Sequence, residues 1–308
     1  MSETDTSETA TSETPGAVTF VGLGKMGLPM ATRLVGAGIR TVGFDVGPAA
    51  RKAFAAAGGA VADSAPAAVA GATAVILMLP DSGIVESVLD DPAVAAALEP
   101  GVTVIDMSSS EPARTRALAE RLAARGVVMI DAPVSGGVAR AVTGELAVMV
   151  GGEDADVRRV QPLLERFGRI YRSGGVGSGH AVKALNNLMS ATHLLVTSEA
   201  ILAGERFGLD PAQVLEIVNA SSGRSGSTEN KWPRFVLPGT YDSGFGLRLM
   251  LKDMRIAVGL AEQVGMPSRL GADALALWAR AAEELPADAD HTEIARWLRK
   301  RAEPPAGV

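Results

Sequence analysis

Short runs of apolar, mostly β-branched residues alternate with stretches of helical period between Val18 and about Arg172. The runs are Val18–Val21, Thr41–Phe44, Ala74–Leu79, Val102–Ile105, Val127–Ile130 and Leu146–Val150. Between them lie Ala-, Leu- and Arg-rich stretches such as Met26–Val35 and Pro112–Ala124, whose apolar positions recur at the spacing of one helix face. Strands that alternate with helices are typical of a parallel sheet covered on both faces. The run Ala74–Leu79 is apolar throughout, which indicates a central strand.

The pattern changes after the glycine-rich stretch Gly174–Gly179. From His180 to about Phe207 one helical pattern runs without proline, and the later segments are also helical. These segments are Pro211–Ala220, Leu247–Val264, Pro267–Glu284 and Thr292–Arg301. We therefore predict an α/β fold with a sheet domain (residues 16–178) and an all-helical domain (residues 179–308) that begins with the long helix. Residues 1–15 carry no large apolar side chain after Met1 and are predicted to be disordered.

Composition removes several classes of function. The 308 residues include 29 Lys and Arg against 35 Asp and Glu, a net charge of −6, which argues against binding of nucleic acid through phosphate neutralisation. The absence of cysteine excludes disulfides, thiol catalysis and Cys-ligated metals. The three histidines are far apart in sequence, so no metal site is predicted. No segment is long and apolar enough to span a bilayer and no secretory signal is recognisable, so we expect a cytoplasmic protein without a membrane partner.

A glycine pattern lies between the first predicted strand and the first predicted helix. It consists of Gly22, Leu23, Gly24, Lys25, Met26 and Gly27. This is the G-x-G-x-x-G fingerprint of Rossmann-type dinucleotide-binding folds, in the strand-to-helix context that the fingerprint requires. Its glycines permit a tight turn, close approach of a pyrophosphate and close packing of the helix on the sheet. The alternative is a tight strand–helix turn that binds no ligand.

An acidic residue, Asp45, ends the second predicted strand eighteen residues beyond Gly27. A carboxylate at this place can accept hydrogen bonds from the adenosine ribose, and it repels a 2′-phosphate. No arginine follows directly, since Arg51 is six residues further on. The sequence therefore favours NAD over NADP as the cofactor. The alternative role of Asp45 is to cap the helix that begins near Pro48.

Further segments resemble those of a known family. They are Asp131–Gly137 followed by Gly144 and Met149–Gly152, then Gly177–Asn187, and finally Lys252–Met254. In this order they resemble the substrate-binding signature, the catalytic helix and the K-D-L box of the β-hydroxyacid dehydrogenases, which include 3-hydroxyisobutyrate dehydrogenase and tartronate semialdehyde reductase. With the glycine loop, the resemblance covers the chain from Val18 to about Leu298. It implies hydride exchange between NAD(P) and a small 3-hydroxy acid or its semialdehyde.

The resemblance implies that Lys183 is the catalytic residue and that Asn187 acts beside it. Oxidation of an alcohol needs a base for the hydroxyl proton, and a lysine can serve if burial and a positive nicotinamide ring lower its pKa towards neutrality. Lys183 and Asn187 are four residues apart, so they share one helix face. Asn187 is expected to hydrogen-bond the substrate or the Lys183 amine. The alternatives are a solvated lysine and an asparagine that bonds across helices.

Substrate contacts are predicted at the loop formed by Ser135, Gly136 and Gly137. Successive backbone N–H groups, a hydroxyl and the start of a helix can together hold a carboxylate. The alternative is an ordinary strand-to-helix loop. Arg224, between two helices of the second domain, either contacts a second anionic group of the substrate or braces its own loop.

Cofactor contacts outside the glycine loop and Asp45 are implied at the ends of later strands. The resemblance points to Leu79 and Pro80 after the central strand, to Ser109 after the next one, and to Lys252 from the helical domain. These strand ends lie at the carboxyl edge of the sheet, where open α/β folds bind ligands. For Lys252 the alternative is a salt bridge with an acid such as Asp253.

The sequence thus predicts an NAD-dependent oxidoreductase that interconverts a small 3-hydroxy acid and its semialdehyde, with Lys183 as proton donor and acceptor. Two alternatives are an imine reductase of the same architecture and a non-catalytic dinucleotide-binding scaffold. Both typically lack the lysine, which is present here. The family resemblance also implies a homodimer or homotetramer.

Overall fold

The computed structural model describes residues 17–302, so the predicted tail of residues 1–15 lies outside it. The predicted fold class is confirmed, since a mostly parallel sheet with flanking helices is followed by a long helix and an all-helical region. Within the described range the strands are β1 (Val18–Val21), β2 (Thr41–Phe44), β3 (Ala60–Val61), β4 (Ala74–Leu77), β5 (Thr103–Asp106), β6 (Val128–Asp131), β7 (Val134–Ser135), β8 (Leu146–Gly151) and β9 (Gly168–Gly174).

The helices divide into two groups along the chain. Those of the sheet region are α1 (Gly27–Gly36), α2 (Pro48–Ala56), α3 (Ala65–Val69), α4 (Ser82–Leu89), α5 (Pro92–Ala97), α6 (Pro112–Ala123), α7 (Gly137–Thr143) and α8 (Asp154–Leu164). Those of the helical region are α9 (Ser178–Phe207), α10 (Pro211–Asn219), a π-helix (Ser227–Val236), α11 (Leu247–Gln263), α12 (Arg269–Glu284) and α13 (Glu293–Ala302). The long helix α9 begins one residue before the predicted start of the helical domain.

The sheet has a switch point between β1 and β4. The strand order is β3-β2-β1-β4-β5-β6-β8-β7, with β9 beside β8. Strands β1 to β6 pair in parallel, while β8 runs antiparallel to β6 and β7. β1 and β4 are buried at every position, as their apolar runs predict. Because the strand order reverses beside β1, the carboxyl ends of β1 and β4 form the crevice in which such sheets bind ligands.

Three strands were not predicted from the sequence. β3 and β7 each contain two residues, and β9 has the sequence GRIYRSG, in which polar and apolar residues alternate. β9 lies outside β8 and exposes Arg169 and Tyr171, so it lacks the continuous apolar run that marks the central strands. The predicted strand Ala74–Leu79 ends at Leu77, because the chain leaves the sheet there towards the crevice.

The helix α9 is the centre of the helical region. Helices α10 to α13 and the π-helix all pack against it, and the core that they enclose contains the fully buried Trp232 and Trp278. The indole N–H of Trp232 donates a hydrogen bond to the Ser198 hydroxyl of α9 at 3.2 Å. Within residues 17–302, no helix combines the length and the apolar character needed to cross a bilayer.

A buried carboxylate connects the loop before α11 to the start of α13. Asp290 accepts hydrogen bonds from the Ser243 hydroxyl and from the N–H groups of Gly244 and Phe245. It also accepts from both the N–H group and the hydroxyl of Thr292. A charged acceptor with this many donors holds the two segments in one arrangement.

Asp290→Asn is expected to lower the free energy of unfolding by about 2–3 kcal/mol at pH 7, because hydrogen bonds to a charged group are lost. Burial alone would raise the pKa of Asp290, but hydrogen bonds from His291 and Thr292 hold that pKa below its usual range. Such a carboxylate stabilises the fold above its unfolded-state pKa of about 3.9, and the stabilisation is lost as the pH falls through the folded-state pKa. Urea titrations at pH 7 and below pH 4 measure the free energy of unfolding of the wild type and of Asp290→Asn. If the difference between the two proteins is the same at both pH values, the prediction is contradicted.

Candidate active site

The glycine loop after β1 is closely packed on one side and open on the other. Gly22 has a φ of +95°, and a Cβ there would overlap the carbonyl oxygen of Met78. A Cβ on Gly27 would overlap the carbonyl oxygen of Gly22 in the same way. By contrast, no atom lies within 4 Å of the position of a Cβ on Gly24. The loop therefore satisfies the turn and packing requirements of the fingerprint and leaves space at its second glycine.

The start of α1 offers unpaired donors towards that space. The N–H groups of Lys25, Met26 and Gly27 donate to no acceptor within residues 17–302. Unpaired N–H groups at a helix start and the positive end of the helix dipole together suit a pyrophosphate. The loop thus fits the phosphates of a nicotinamide dinucleotide.

Asp45 lies directly beside the glycine loop. Its carboxylate accepts the N–H groups of Leu23 and Gly47, both at 2.7 Å. It does not cap α2, which starts without a side-chain cap. A carboxylate has about four acceptor positions, so two remain for ribose hydroxyls. The fold also brings Arg51 against Asp45, because the Arg51 guanidinium donates to the Asp45 carbonyl oxygen at 2.5 Å. The spacing of six residues in the sequence did not suggest this contact.

The loops after β4 and β5 form the opposite border of the crevice. The Leu79 N–H donates to the Ser108 hydroxyl at 2.9 Å, and the Leu79 side chain lies next to Gly22. Pro80 follows on the surface. The Ser108 hydroxyl is engaged in this way, whereas that of Ser109 has no partner within the described range. Leu79 therefore borders the glycine loop, while cofactor contacts of Leu79, Pro80 and Ser109 stay predictions.

A buried carboxylate at the end of β6 holds the start of α9. Asp131 accepts the N–H group of Gly177 through one oxygen and that of His180 through the other, both at 2.7 Å. Burial raises the pKa of Asp131, while His180 and the two hydrogen bonds oppose that rise. A Cβ on Gly179 would overlap the carbonyl oxygen of Met149 in β8, so α9 begins pressed against the sheet. This contact fixes the direction in which the helix leaves the crevice.

Lys183 lies one turn after that anchor and is 8% exposed. Its amine donates to no acceptor within residues 17–302. Burial lowers the pKa of Lys183, the negative charge of Asp253 opposes this, and the positive charge of Lys252 adds to it. The solvated lysine considered as an alternative is therefore wrong for this position.

A chain of contacts connects the helical region to the sheet region through Asn187, Asp253, Lys252 and Ser109. The Asn187 amide donates to Asp253 at 2.6 Å and accepts from Asn186 at 3.1 Å. Asp253 pairs with Lys252 at 3.0 Å, and the Lys252 amine donates to the Ser109 carbonyl oxygen at 2.6 Å. Asn187 therefore makes the hydrogen bond across helices that was the alternative for this residue. Lys252 likewise forms the alternative salt bridge with Asp253. A cavity of about 310 Å³ opens beside Lys252, between α11 and the starts of α4 and α6.

The loop from Ser135 to Gly137 connects β7 to α7. Gly136 and Gly137 have φ angles of +139° and +74°, and the Cβ position of Gly137 is open. The Ser135 hydroxyl has no partner within the described residues. The loop begins four residues after Asp131, so it leaves the same sheet edge as the anchor of α9. Contact of this loop with a substrate carboxylate stays a prediction.

Arg224 and Lys231 are two further positively charged residues of the helical region. Arg224 is 63% exposed and pairs with Glu229 at 3.5 Å, so it braces its loop. Lys231, which the sequence analysis did not single out, points back to α9, where its amine donates to the Ser190 hydroxyl at 2.7 Å. Lys231 belongs to no motif and lies in the π-helix, where the helical period on which the sequence analysis relied is interrupted.

Comparison with known proteins places the chain in a family. The model of the NAD-binding domain of 6-phosphogluconate dehydrogenase matches residues 17–203, and that of the NAD-binding part of NADP-dependent 3-hydroxyisobutyrate dehydrogenase matches residues 177–298. The 3-hydroxyisobutyrate dehydrogenase of Pseudomonas aeruginosa is 39% identical over 283 residues, which cover 89% of this chain and 94% of that protein. The chain belongs to the β-hydroxyacid dehydrogenase family. The predicted family is thereby confirmed.

Other members differ in the substrates that their names give. The 2-(hydroxymethyl)glutarate dehydrogenase of Eubacterium barkeri is 36% identical to this β-hydroxyacid dehydrogenase over 250 residues, 80% of this chain and 83% of that protein. A solved structure of Mycobacterium tuberculosis 3-hydroxyisobutyrate dehydrogenase with L-serine has a TM-score of 0.87 and 34% identity, and covers 92% of this chain and 99% of that one. This β-hydroxyacid dehydrogenase is thus an oxidoreductase of the class that acts on hydroxy acids with a nicotinamide dinucleotide.

Proposed function

We propose that this dehydrogenase interconverts a small 3-hydroxy acid and its semialdehyde, with Lys183 moving the hydroxyl proton. The observation that carries the proposal is a buried amine without a hydrogen-bond partner in the described range, on a helix that Asp131 fixes at the edge of the sheet. The bound nicotinamide dinucleotide supplies the hydride acceptor for oxidation and the hydride donor for reduction.

Lys183 acts in opposite protonation states in the two directions. In oxidation its neutral amine takes the hydroxyl proton, and the lowered pKa of Lys183 increases the share of that neutral form. In reduction its ammonium group returns a proton to the carbonyl oxygen and stabilises the negative charge that develops there. Asn187 has one amide hydrogen engaged by Asp253, which leaves the other to orient the substrate hydroxyl.

The remaining predicted residues position the two ligands. Ser135, Gly136 and Gly137 hold the substrate carboxylate through a hydroxyl and backbone N–H groups. The glycine loop would hold the pyrophosphate of the cofactor, and Leu79, Pro80, Ser109 and Lys252 would be its further contacts. Asp45 makes NAD the preferred cofactor, because a 2′-phosphate would meet its negative charge.

A substrate panel tests this function. The protein is mixed with NAD and each of 3-hydroxyisobutyrate, glycerate, serine and 3-hydroxypropionate, and absorbance of the reduced cofactor is followed. We expect turnover of at least one of these acids. Inactivity towards all of them and towards the matching aldehydes would favour the non-catalytic scaffold, and reduction of cyclic imines instead would favour the imine reductase. The presence of Lys183 weighs against both alternatives.

We also propose that two copies of the chain form a homodimer along α9. On the side of α9 away from Lys183, four apolar residues are 41–55% exposed at helical spacing: Val182, Leu185, Met189 and Val196. An exposed apolar stripe on the longest helix is typical of an interface.

Met189→Glu is expected to raise the dimer dissociation constant by about 100-fold or more, because a charge in an apolar interface costs several kcal/mol. Light scattering at micromolar concentration measures the mass. Val142→Glu on α7, where Val142 is 57% exposed outside the stripe, is the matched control and is expected to leave the mass unchanged. A wild-type monomer, or equal effects of both changes, would contradict the proposal.

A further inference from the structure

The amine of Lys231 lies inside the helical region, and its hydrogen-bond partners among the described residues are uncharged. It donates to the hydroxyl of Ser190 at 2.7 Å and to the carbonyl oxygen of Ser190 at 3.4 Å. No carboxylate within residues 17–302 lies within 4 Å of it, although Asp290 acts on it from a greater distance. Burial lowers the pKa of Lys231 to about 8, and Asp290 opposes that shift. At neutral pH the group is therefore mostly an ammonium ion that has no carboxylate in direct contact among residues 17–302.

The partner of Lys231 lies on the catalytic face of α9. Ser190 follows Lys183 by seven residues and Asn187 by three, so these three side chains share one stripe of the helix. Seven residues of α-helix advance by about 10 Å. Lys231 therefore holds a positive charge two turns away from the catalytic amine, on the side where the substrate reacts.

We propose that Lys231 binds a second carboxylate of the substrate, so that the enzyme prefers dicarboxylic 3-hydroxy acids to monocarboxylic ones. The proposal rests on the proposed function and names the substrate class of the same site. The first carboxylate lies at the loop of Ser135 to Gly137, the hydroxyl at Lys183, and the second carboxylate between Lys231 and Ser190.

The chemistry of the amine favours a carboxylate at this place. An ammonium group has three donors, and the Ser190 oxygens leave part of that capacity unused. A carboxylate supplies both the acceptor and the missing charge, and such charge-assisted hydrogen bonds are about twice as strong as neutral ones. An apolar substrate arm would leave the positive charge desolvated and unpaired, which penalises monocarboxylic competitors.

The spacing also suits a short dicarboxylic acid. Four C–C bonds of about 1.5 Å separate the carboxyl carbons of a glutarate by roughly 5 Å. In a glutarate that carries a hydroxymethyl group, the hydroxyl oxygen lies roughly 6 Å from the far carboxyl carbon. Hydrogen bonds of about 3 Å at each end extend this reach to the interval of about 10 Å between the positions of Lys183 and Ser190 on the helix. Arg224, the residue singled out earlier for a second anionic group, pairs with Glu229 in an exposed loop and is the natural comparison.

Two acids that differ in one substituent test the proposal. In 2-(hydroxymethyl)glutarate, the methyl group of 3-hydroxyisobutyrate is replaced by a CH₂CH₂CO₂⁻ arm. The ratio of kcat/KM for the diacid to kcat/KM for the monoacid is measured in the wild type, Lys231→Met, Lys231→Arg and Arg224→Met. We expect a wild-type ratio above one, and a ratio about 30–100-fold lower in Lys231→Met, mainly through KM. Lys231→Arg retains most of the preference, and Arg224→Met leaves the ratio unchanged.

A binding measurement without turnover guards against a folding defect. With NAD present, glutarate is expected to raise the Tm of the wild type more than butyrate does, and Lys231→Met removes that difference while keeping the stabilisation by NAD alone. A wild type that oxidises the monoacid at least as well as the diacid, or a Lys231→Met variant with an unchanged ratio, overturns the proposal and leaves the proposed function intact. Failure of both acids and of the whole substrate panel would instead contradict the function itself.

Discussion

Lys183→Met is expected to lower kcat/KM by about 10³-fold or more for every hydroxy acid that the enzyme oxidises. A positioned general base contributes about 10²–10⁴-fold to such a reaction, and methionine fills the space of the lysine chain without a basic atom. The affinity for the cofactor is expected to stay within a few-fold of the wild type, because the glycine loop and Asp45 lie outside the change. Initial rates at saturating NAD and fluorescence titration of the reduced cofactor measure the two quantities.

The pH profile separates loss of the base from loss of packing. In the wild type, kcat/KM for oxidation rises with pH through the lowered pKa of Lys183, since the neutral amine is the active form. Lys183→Arg keeps a positive charge but stays protonated at any working pH, so it is expected to lose both the activity and this rise. A methionine variant that keeps a tenth of the wild-type rate would exclude Lys183 as the base.

Asp45→Asn is expected to raise the ratio of kcat/KM with NADP to kcat/KM with NAD by about 100-fold. Removing the negative charge abolishes its repulsion of a 2′-phosphate, and like-charge juxtaposition costs several kcal/mol. The guanidinium of Arg51, which donates to the Asp45 carbonyl oxygen, is then close enough to pair with that phosphate. Asparagine keeps an acceptor for the Leu23 N–H, so the glycine loop is expected to keep its shape.

A second substitution isolates the contribution of Arg51. In the Asp45→Asn background, Arg51→Met is expected to cancel much of the gain with NADP while leaving the rate with NAD within a few-fold. Unfolding in urea shows whether the variants remain folded. An unchanged cofactor ratio in Asp45→Asn would mean that Asp45 does not face the ribose.

The sequence predicted those parts of the molecule that depend on neighbours along the chain. The apolar runs locate β1, β4 and the other central strands because burial on both faces demands apolar residues at every position. The strand-to-helix context of GLGKMG predicts a loop whose open and closed sides suit a dinucleotide. β9 was missed, since an edge strand with one solvated face carries no such run.

Contacts between distant segments could not be predicted in the same way. The role of Asp131 depends on Gly177 and His180, which follow it by 46 and 49 residues. Arg51 was set aside on spacing, yet one turn of α2 returns it to Asp45. No sequence motif includes Lys231, and its position beside α9 is seen only from its hydrogen bond to the Ser190 hydroxyl, 41 residues earlier.

Three connections hold α9 and α11 in place at the crevice. The start of α9 is fixed to the sheet by the buried Asp131, and its third turn is fixed to α11 through Asn187 and the buried Asp253. The third connection, from Lys252 to Ser109, is the one that water reaches, because the Lys252 side chain is 24% exposed. Of these three connections, the one between Lys252 and Ser109 is therefore the one at which water competes most directly for the hydrogen bond.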